Sequence, residues 1–303
     1  MRIAAAGIPA QTAPNRRFGP VNLDSPIILI GTQRSGTTWL GSVFARHERL
    51  AYWEEPRHVW TWGNSYRPDD RLSERHARPR VVRHVRRTFS DFVRARAADR
   101  LVEKTPSNCL RIPFIHAIYP EARILLIVRD GRSVLRSTDR IMHTGVPTGR
   151  IWQRARQTPI WEWPAYAHQA AGAIVRKATR RPVRYWGPRP PDWRRWLHEH
   201  DRDLILARQW AATISIAVRD ADTLPAGSAF RFRYEDLMAE PRSTMQQIVD
   251  FLSLPEADHL VDHVERTADP RRAEQWRDQL DKQTLERIRS IMEPTLNDLG
   301  YTW

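Results

Sequence analysis

Pro26-Ile-Ile-Leu-Ile-Gly31-Thr-Gln-Arg-Ser-Gly-Thr-Thr38-Trp-Leu-Gly-Ser-Val-Phe44 is the stretch that decides the fold. Its first five residues form a short, wholly apolar run that stops at Gly31, as expected of a strand buried on both faces of a parallel sheet. Trp39, Leu40, Val43 and Phe44 then recur at spacings of three and four, which predicts a helix with one buried face. A Gly-Ser-Thr loop between such a strand and such a helix is where backbone N–H groups and a helix N-terminus cradle a phosphate. The structural alternative is a turn that merely caps the helix.

Working outward, further strands are predicted at Leu50–Trp53, Leu101–Val102, Arg123–Val128 and Ala229–Tyr234. The last precedes a helix that opens at Pro241 and carries Met245, Ile248, Val249 and Leu252 on one side. Strands alternating with helices predict an α/β fold: a P-loop-type parallel sheet with helices on both faces and the ligand beyond the carboxyl ends of the strands. Gly31, Lys104 and Arg129 then fall along one edge. Residues 1–22 lack periodicity and read as a flexible tail, with 23–303 as a single domain. Within it, 145–200 breaks the rhythm with Trp152, Trp161, Trp163, Trp186, Trp193 and Trp196 among prolines. It reads as a mostly helical insertion, either a satellite cluster on the sheet or a cap over the acceptor.

Composition narrows the function. The 303 residues are 41% apolar and 28% charged, which suits a globular enzyme and excludes collagen-like, disordered and disulfide-stapled classes. No apolar run is long enough to span a bilayer or form a signal-peptide core, so a cytoplasmic protein is expected. Cys109 is the only cysteine, and nothing resembles a metal site. Lys and Arg number 49 against 35 Asp and Glu, for a net charge of +14, which invites a nucleic-acid partner. Charge is the only support for that reading. Lys104, Lys177 and Lys282 are the only lysines, so 46 of the 49 are arginine, and they are scattered among acids without forming a like-charge block. No nucleic-acid partner is expected; a small anionic ligand suits the pattern as well.

The loop has the spacing of a nucleotide-triphosphate loop, except that Thr37 stands where that loop carries lysine, while Arg34 supplies a cation three positions earlier. That argues against the rival reading, a kinase or nucleotidase using ATP and Mg²⁺. Residues 27–44 resemble instead the 5′-phosphosulfate loop of the sulfotransferases that use 3′-phosphoadenosine 5′-phosphosulfate (PAPS). Ile124–Ser137 is similar to the family's 3′-phosphate segment, in which an arginine ending a strand and a serine eight positions later hold the 3′-phosphate. Arg129 and Ser137 match both. Two weaker matches follow in family order: Glu103-Lys-Thr-Pro106, and Arg233-Tyr-Glu-Asp-Leu237 with Pro241 and Phe251-Leu-Ser-Leu-Pro255. Val128-Arg-Asp-Gly-Arg132 and Trp53-Glu-Glu-Pro-Arg57 look like the bacterial branch related to the tyrosylprotein and carbohydrate sulfotransferases.

The resemblance implies transfer of a sulfuryl group from PAPS to a hydroxyl, or less readily an amine, of a small molecule or carbohydrate, with no metal required. It implies a donor site of Arg34, Ser35, Gly36, Thr37 and Thr38 at one end and Arg129 and Ser137 at the other, joined by a late basic segment containing Arg271, Arg272 and Arg277. The same polarity follows from physics, since a donor with anions at both ends needs two separated anion sites. Arg34 and Lys104 are the cations expected to neutralise the leaving group. The alternatives are a surface ion pair of Arg129 with Asp130 and a solvated Lys104 paired to Glu103. Resemblance favours Glu55 as general base, with Arg57 contacting the acceptor or orienting the base and His58 as rival. Adjacent residues on an extended segment point opposite ways, so only one of Glu54 and Glu55 is expected to face the pocket. Trp276 is read either as a cover for adenine or as a core anchor.

Overall fold

The computed structural model describes residues 25–144, 185–198 and 201–303. The expected tail at 1–22 lies outside the described residues, as does most of the 145–200 insertion with Trp152, Trp161 and Trp163.

The apolar runs form five parallel strands: β1 (Ile27–Ile30), β2 (Leu50–Glu54), β3 (Arg100–Lys104), β4 (Arg123–Val128) and β5 (Ala229–Arg233). They assemble in the order β2-β3-β1-β4-β5. From β1 the chain first builds one side of the sheet and then, after β3, crosses to β4 on the other. The crevice beyond the carboxyl ends of β1 and β4 is therefore the topological switch point at which such folds bind ligands. Glu54 of β2 pairs with Lys104 of β3, which pairs with Leu29 of β1, so the sheet register alone brings Glu54 beside Lys104.

Every residue of β1 is fully buried, and alternation sends its side chains to two different cores. Ile28 and Ile30 pack with residues of α3 (Pro79–Arg94), α4 (Ile112–Ile118), α5 (Gly131–Thr144), α7 (Arg202–Asp222) and α13 (Lys282–Asp298). Ile27 and Leu29 pack with α1 (Thr37–Phe44), α8 (Tyr234–Ala239), α9 (Pro241–Leu252) and α10 (Asp258–Thr267) on the other face. Burying each such aliphatic side chain contributes about 1.5–3 kcal/mol, so the central strand is rigid support for the loop that follows it. Helix α3 shows the amphipathic logic: Val81, Val85, Phe89 and Val93 recur every four residues and all are fully buried. Short helices α2 (Arg57–Thr61), α6 (Trp193–Trp196), α11 (Arg271–Glu274) and α12 (Trp276–Gln279) occupy the rim. Among the described residues no helix is long and apolar enough to cross a membrane.

Two boundaries differ from expectation. Tyr234 opens α8 and does not close β5. Lys104 is the last residue of β3, almost wholly buried, and not a solvated charge at a helix start.

Candidate active site

The turn from β1 into α1 is held by its own hydroxyls: Thr32 Oγ1 and Ser35 Oγ lie 2.7 Å apart, and the Ser35 amide donates to the Thr32 carbonyl. Arg34 takes a left-handed conformation at φ 67° and Gly36 another at φ 86°. At Gly36 a side chain is excluded twice, by φ and by space, since a Cβ would sit 2.6 Å from the Tyr234 ring. Arg34 lacks that exemption; a non-glycine residue held at positive φ costs of order 1 kcal/mol or more and tends to mark a functional site.

This turn forms one wall of a cleft of about 600 Å³ lined by Arg34, Thr38, Trp39, Arg129, Ser133, Arg136, Ser137, Arg140, Tyr234 and Arg272, with Asp269 as its acid. The strand-end arginine is tightly placed. Arg129 Nη1 donates to the Arg34 carbonyl and Nη2 to the Arg272 carbonyl, both at 2.7 Å. Its guanidinium lies 4.2 Å above the Tyr234 ring. Among the described residues Arg129 Nε is buried with no hydrogen-bond partner. Burial lowers the Arg129 pKa, against the pull of Tyr234 and Glu235. The surface ion pair with Asp130 does not form, because Asp130 is taken by Arg132 at 2.7 and 3.0 Å. Ser137 accepts from Arg34 Nε at 2.9 Å, so Arg129, Ser137 and the loop cation Arg34 face one space.

A second charge group lies at the ends of β2 and β3. Lys104 Nζ donates to Glu54 Oε1 at 3.1 Å and to Glu55 Oε1 at 3.2 Å, and Arg57 Nη2 lies 3.3 Å from Glu55 Oε2. Both carboxylates thus reach one ammonium although alternation would turn them apart, and neither is among the residues that line the cleft. Alternation requires extended backbone at both residues, and Glu55 has φ 54°; its amide turns back to donate to the Lys104 carbonyl at 2.7 Å. Thr38 Oγ1 donates to Glu54 Oε1 at 3.3 Å and also lines the cleft, which links the two charge groups.

Lys104 is not paired to Glu103 by hydrogen bond. Strand alternation sends Glu103 to the opposite face, where Thr105 Oγ1 and Asn108 Nδ2 donate to its two oxygens at 2.6 and 2.7 Å. Burial pushes the Glu103 carboxyl up to about 7 despite those bonds. His58 packs edge-on against Trp53. Burial, with a contribution from His84, lowers its pKa to about 4, so at neutral pH it is an uncharged, weak base.

Of the three arginines in the late basic segment only Arg272 lines the cleft. The Arg271 side chain is 90% exposed and paired with Asp269, and Arg277 is paired with Glu274. Trp276 is 7% exposed with the Arg132 guanidinium 4.0 Å from its ring, so although it touches the cleft its packing is that of a core anchor. Arg136, Arg140, Tyr234 and Thr38's bridging role escaped the sequence reading. A signal existed for the arginines: Ser133, Arg136, Ser137 and Arg140 repeat at three and four along α5, the spacing of one helix face. Among the described residues no group of three or more His, Cys, Asp or Glu is placed to hold a metal ion.

A family model described as "Sulfotransferase family" matches residues 26–185 and 174–258. A protein-tyrosine sulfotransferase A of Caenorhabditis elegans is 23% identical over 253 residues, covering 80% of this chain and 53% of its own length. A protein-tyrosine sulfotransferase 1 of Danio rerio is 29% identical over 127 residues, 38% of this chain and 36% of its own. The chain thus spans about half the length, or less, of these curated relatives. Among solved structures, the sulfotransferase domain from the curacin biosynthetic pathway superposes with a TM-score of 0.52 at 16% identity, covering 91% of this chain and 98% of that one. A sulfotransferase from Mycobacterium avium gives 0.50 at 13% identity, with coverage of 93% and 78%. These two likenesses are of fold.

Proposed function

The chain belongs to the sulfotransferase family, and on that premise we propose that it transfers the sulfuryl group of PAPS to a hydroxyl, or less readily an amine, of a small molecule or carbohydrate. The observation that carries the reading is the cleft itself: five arginines and one aspartate around a single space, with a βα phosphate loop at one end and the Arg129–Ser137 pair at the other. A ligand with anions at both ends fits that polarity, and the partnerless Arg129 Nε is a donor left over for it.

In this reading the loop residues Ser35, Gly36, Thr37 and Thr38 hold the 5′-phosphosulfate, and Arg129, Ser137 and Arg272 hold the 3′-phosphate. Glu55 takes the proton of the attacking hydroxyl as the new S–O bond forms, and the S–O bond to the donor phosphate breaks. Lys104 and Arg34 neutralise the charge that develops on the sulfuryl and bridging oxygens, preorganised by Glu54 and by Ser137 respectively. Arg57, paired to Glu55, orients the base. The cations assigned here are side chains, so turnover is expected to continue in excess EDTA. The lone, buried Cys109 fits a reducing compartment such as a bacterial cytoplasm.

Calorimetry with adenosine 3′,5′-bisphosphate, adenosine 5′-monophosphate and ATP tests the donor, and radiolabelled PAPS with a panel of phenols, sugars, amines and tyrosine peptides tests the transfer. The bisphosphate should bind tightest and label should move with EDTA present. Preference for ATP, with Mg²⁺-dependent turnover, would replace this reading with the kinase one.

A further inference from the structure

The phosphate loop is tied to a segment more than 150 residues away. Gln33, 3% exposed, donates through Nε2 to Gln209 Oε1 at 2.7 Å. Gln209 is fully buried on α7 and donates its own amide to the carbonyls of Trp186 and Pro188 at 2.9 and 2.8 Å. Gly187, between those carbonyls, has φ 103°, and a Cβ there would lie 3.0 Å from Gln33 Cδ and 3.2 Å from Gln209 Nε2. The next residue is anchored in turn. Arg189 donates from its amide and from Nη2 to Asp70 at 2.9 and 2.8 Å, and the Asp70 amide donates to the Arg189 carbonyl at 2.8 Å. Asp70 also accepts from Ser107 at 3.1 Å and pairs with buried Arg111 at 3.4 Å. Burial opposes a charged Asp70, but Arg111 and Arg189 outweigh it and hold the carboxyl below its ordinary range.

We propose that Gln209 and Gln33 are positioning residues for transfer: they lock the phosphate loop to the 186–189 segment seated on Asp70, and so set where Arg34 starts. Arg34 follows Gln33 directly in a left-handed conformation, and its carbonyl is gripped by Arg129. With the link cut, the loop loses the side-chain hydrogen bond that ties Gln33 to α7, while Arg129 and Ser137 still hold Arg34 from the other side. A displacement near 1 Å at a reacting centre costs about 10²-fold in rate. The inference deepens the sulfotransferase reading and rests on it for its kinetic consequence.

Gln33→Met is the informative variant: it cuts the bond to Gln209 and strands the buried Gln209 Oε1, but it also removes Gln33 Oε1, itself buried without a partner among the described residues, so the number of unpaired buried acceptors is unchanged and stability should fall only slightly. Expected are a kcat lower by about tenfold or more, donor KM and bisphosphate Kd within about threefold of wild type, and a Tm within a few degrees. Gln209→Met should show a similar kcat loss, with the double variant no slower than the slower single one. Amide exchange across residues 31–38 should quicken in Gln33→Met. Unchanged loop exchange overturns the inference whatever the enzyme's activity. So does a kcat loss that vanishes when the assay is cooled to restore folding, which would mark a purely structural role. A wild-type protein that binds no bisphosphate sinks the sulfotransferase reading instead, and loop exchange then still decides the link.

Discussion

At the ends of β1 and β4, Arg34, Arg129, Arg136, Arg140 and Arg272 surround a cleft that offers one acid, Asp269, whereas at the ends of β2 and β3 Lys104 and Arg57 are matched by Glu54 and Glu55. The first group is open and carries excess positive charge; the second is partly buried and balanced. A cleft with excess positive charge favours an anion that offsets the mutual repulsion of its arginines, as the proposed donor would. A balanced, partly buried cluster needs nothing from outside, and its members fix one another's geometry. Removing one charge from it strands a partner in a poorly solvated place, at a cost larger than that of the lost contact. The donor side should therefore respond to substitution in affinity and the carboxylate side in rate.

The sharpest test of that contrast is Glu55→Gln, which keeps size and most hydrogen bonding but cannot take a proton. Turnover should fall by about 10²–10⁴ while bisphosphate binding survives. Because both carboxylates reach Lys104, Glu54→Gln is not silent either: it should cost about tenfold, since Lys104 and Thr38 lose a charged acceptor. Equal losses would assign the proton transfer to the pair, and a dead Glu54→Gln beside an active Glu55→Gln would move the base to Glu54.

Lys104→Met comes next, with kcat expected to fall by one to three orders of magnitude, the range for removing one preorganised donor, and with a smaller change in bisphosphate Kd. A change confined to Kd would place Lys104 with the donor cleft and break the division. On the other side, Arg129→Ala removes a charged donor, worth roughly 1.5–3 kcal/mol. By calorimetry the bisphosphate should weaken at least tenfold and the 5′-monophosphate hardly at all. Equal weakening of both would disconnect Arg129 from the 3′-phosphate.

The smallest effect concerns Glu103, behind Lys104. Its carboxyl is raised from 4.5 to about 7 by burial, so between those values the folded protein binds more protons than the unfolded chain and stability falls as pH rises. The loss begins near pH 4.5, is complete near pH 7 and is on the order of 3 kcal/mol at most. Glu103→Gln, unable to ionise, should flatten that part of the curve in denaturant titrations run from pH 5 to 8. A wild-type curve already flat there would mean the carboxylate stays charged in the fold.

Most of the fold was legible in the chain because its signals are local. The Ile27–Ile30 run and the three-and-four spacing after Trp39 each lie within one strand or helix, and the eight-residue step from Arg129 to Ser137 within one tight turn and the helix it opens, where backbone geometry fixes relative position. The late basic segment was legible as a segment only: which arginine faces the cleft depends on how α11 packs, and Arg272, not Arg271, meets the Arg129 guanidinium through its carbonyl.

Residue identity and spacing by themselves determined the parallel α/β sheet, the phosphate loop without its lysine, and the presence of acid, cation and anion-binding residues along one edge. Tertiary structure alone decided how those residues meet. Alternation in an extended strand would have turned Glu54 and Glu55 apart, but Glu55 leaves the strand in a left-handed conformation with its amide on the Lys104 carbonyl, 49 positions on, and both carboxylates meet one ammonium. Gln33 reads as one loop residue among others until α7 and the 186–189 segment close around it. In both places the arrangement depends on hydrogen bonds to partners far away in sequence, which local spacing does not encode, because a buried polar group needs a partner and only the packed fold decides which one it meets.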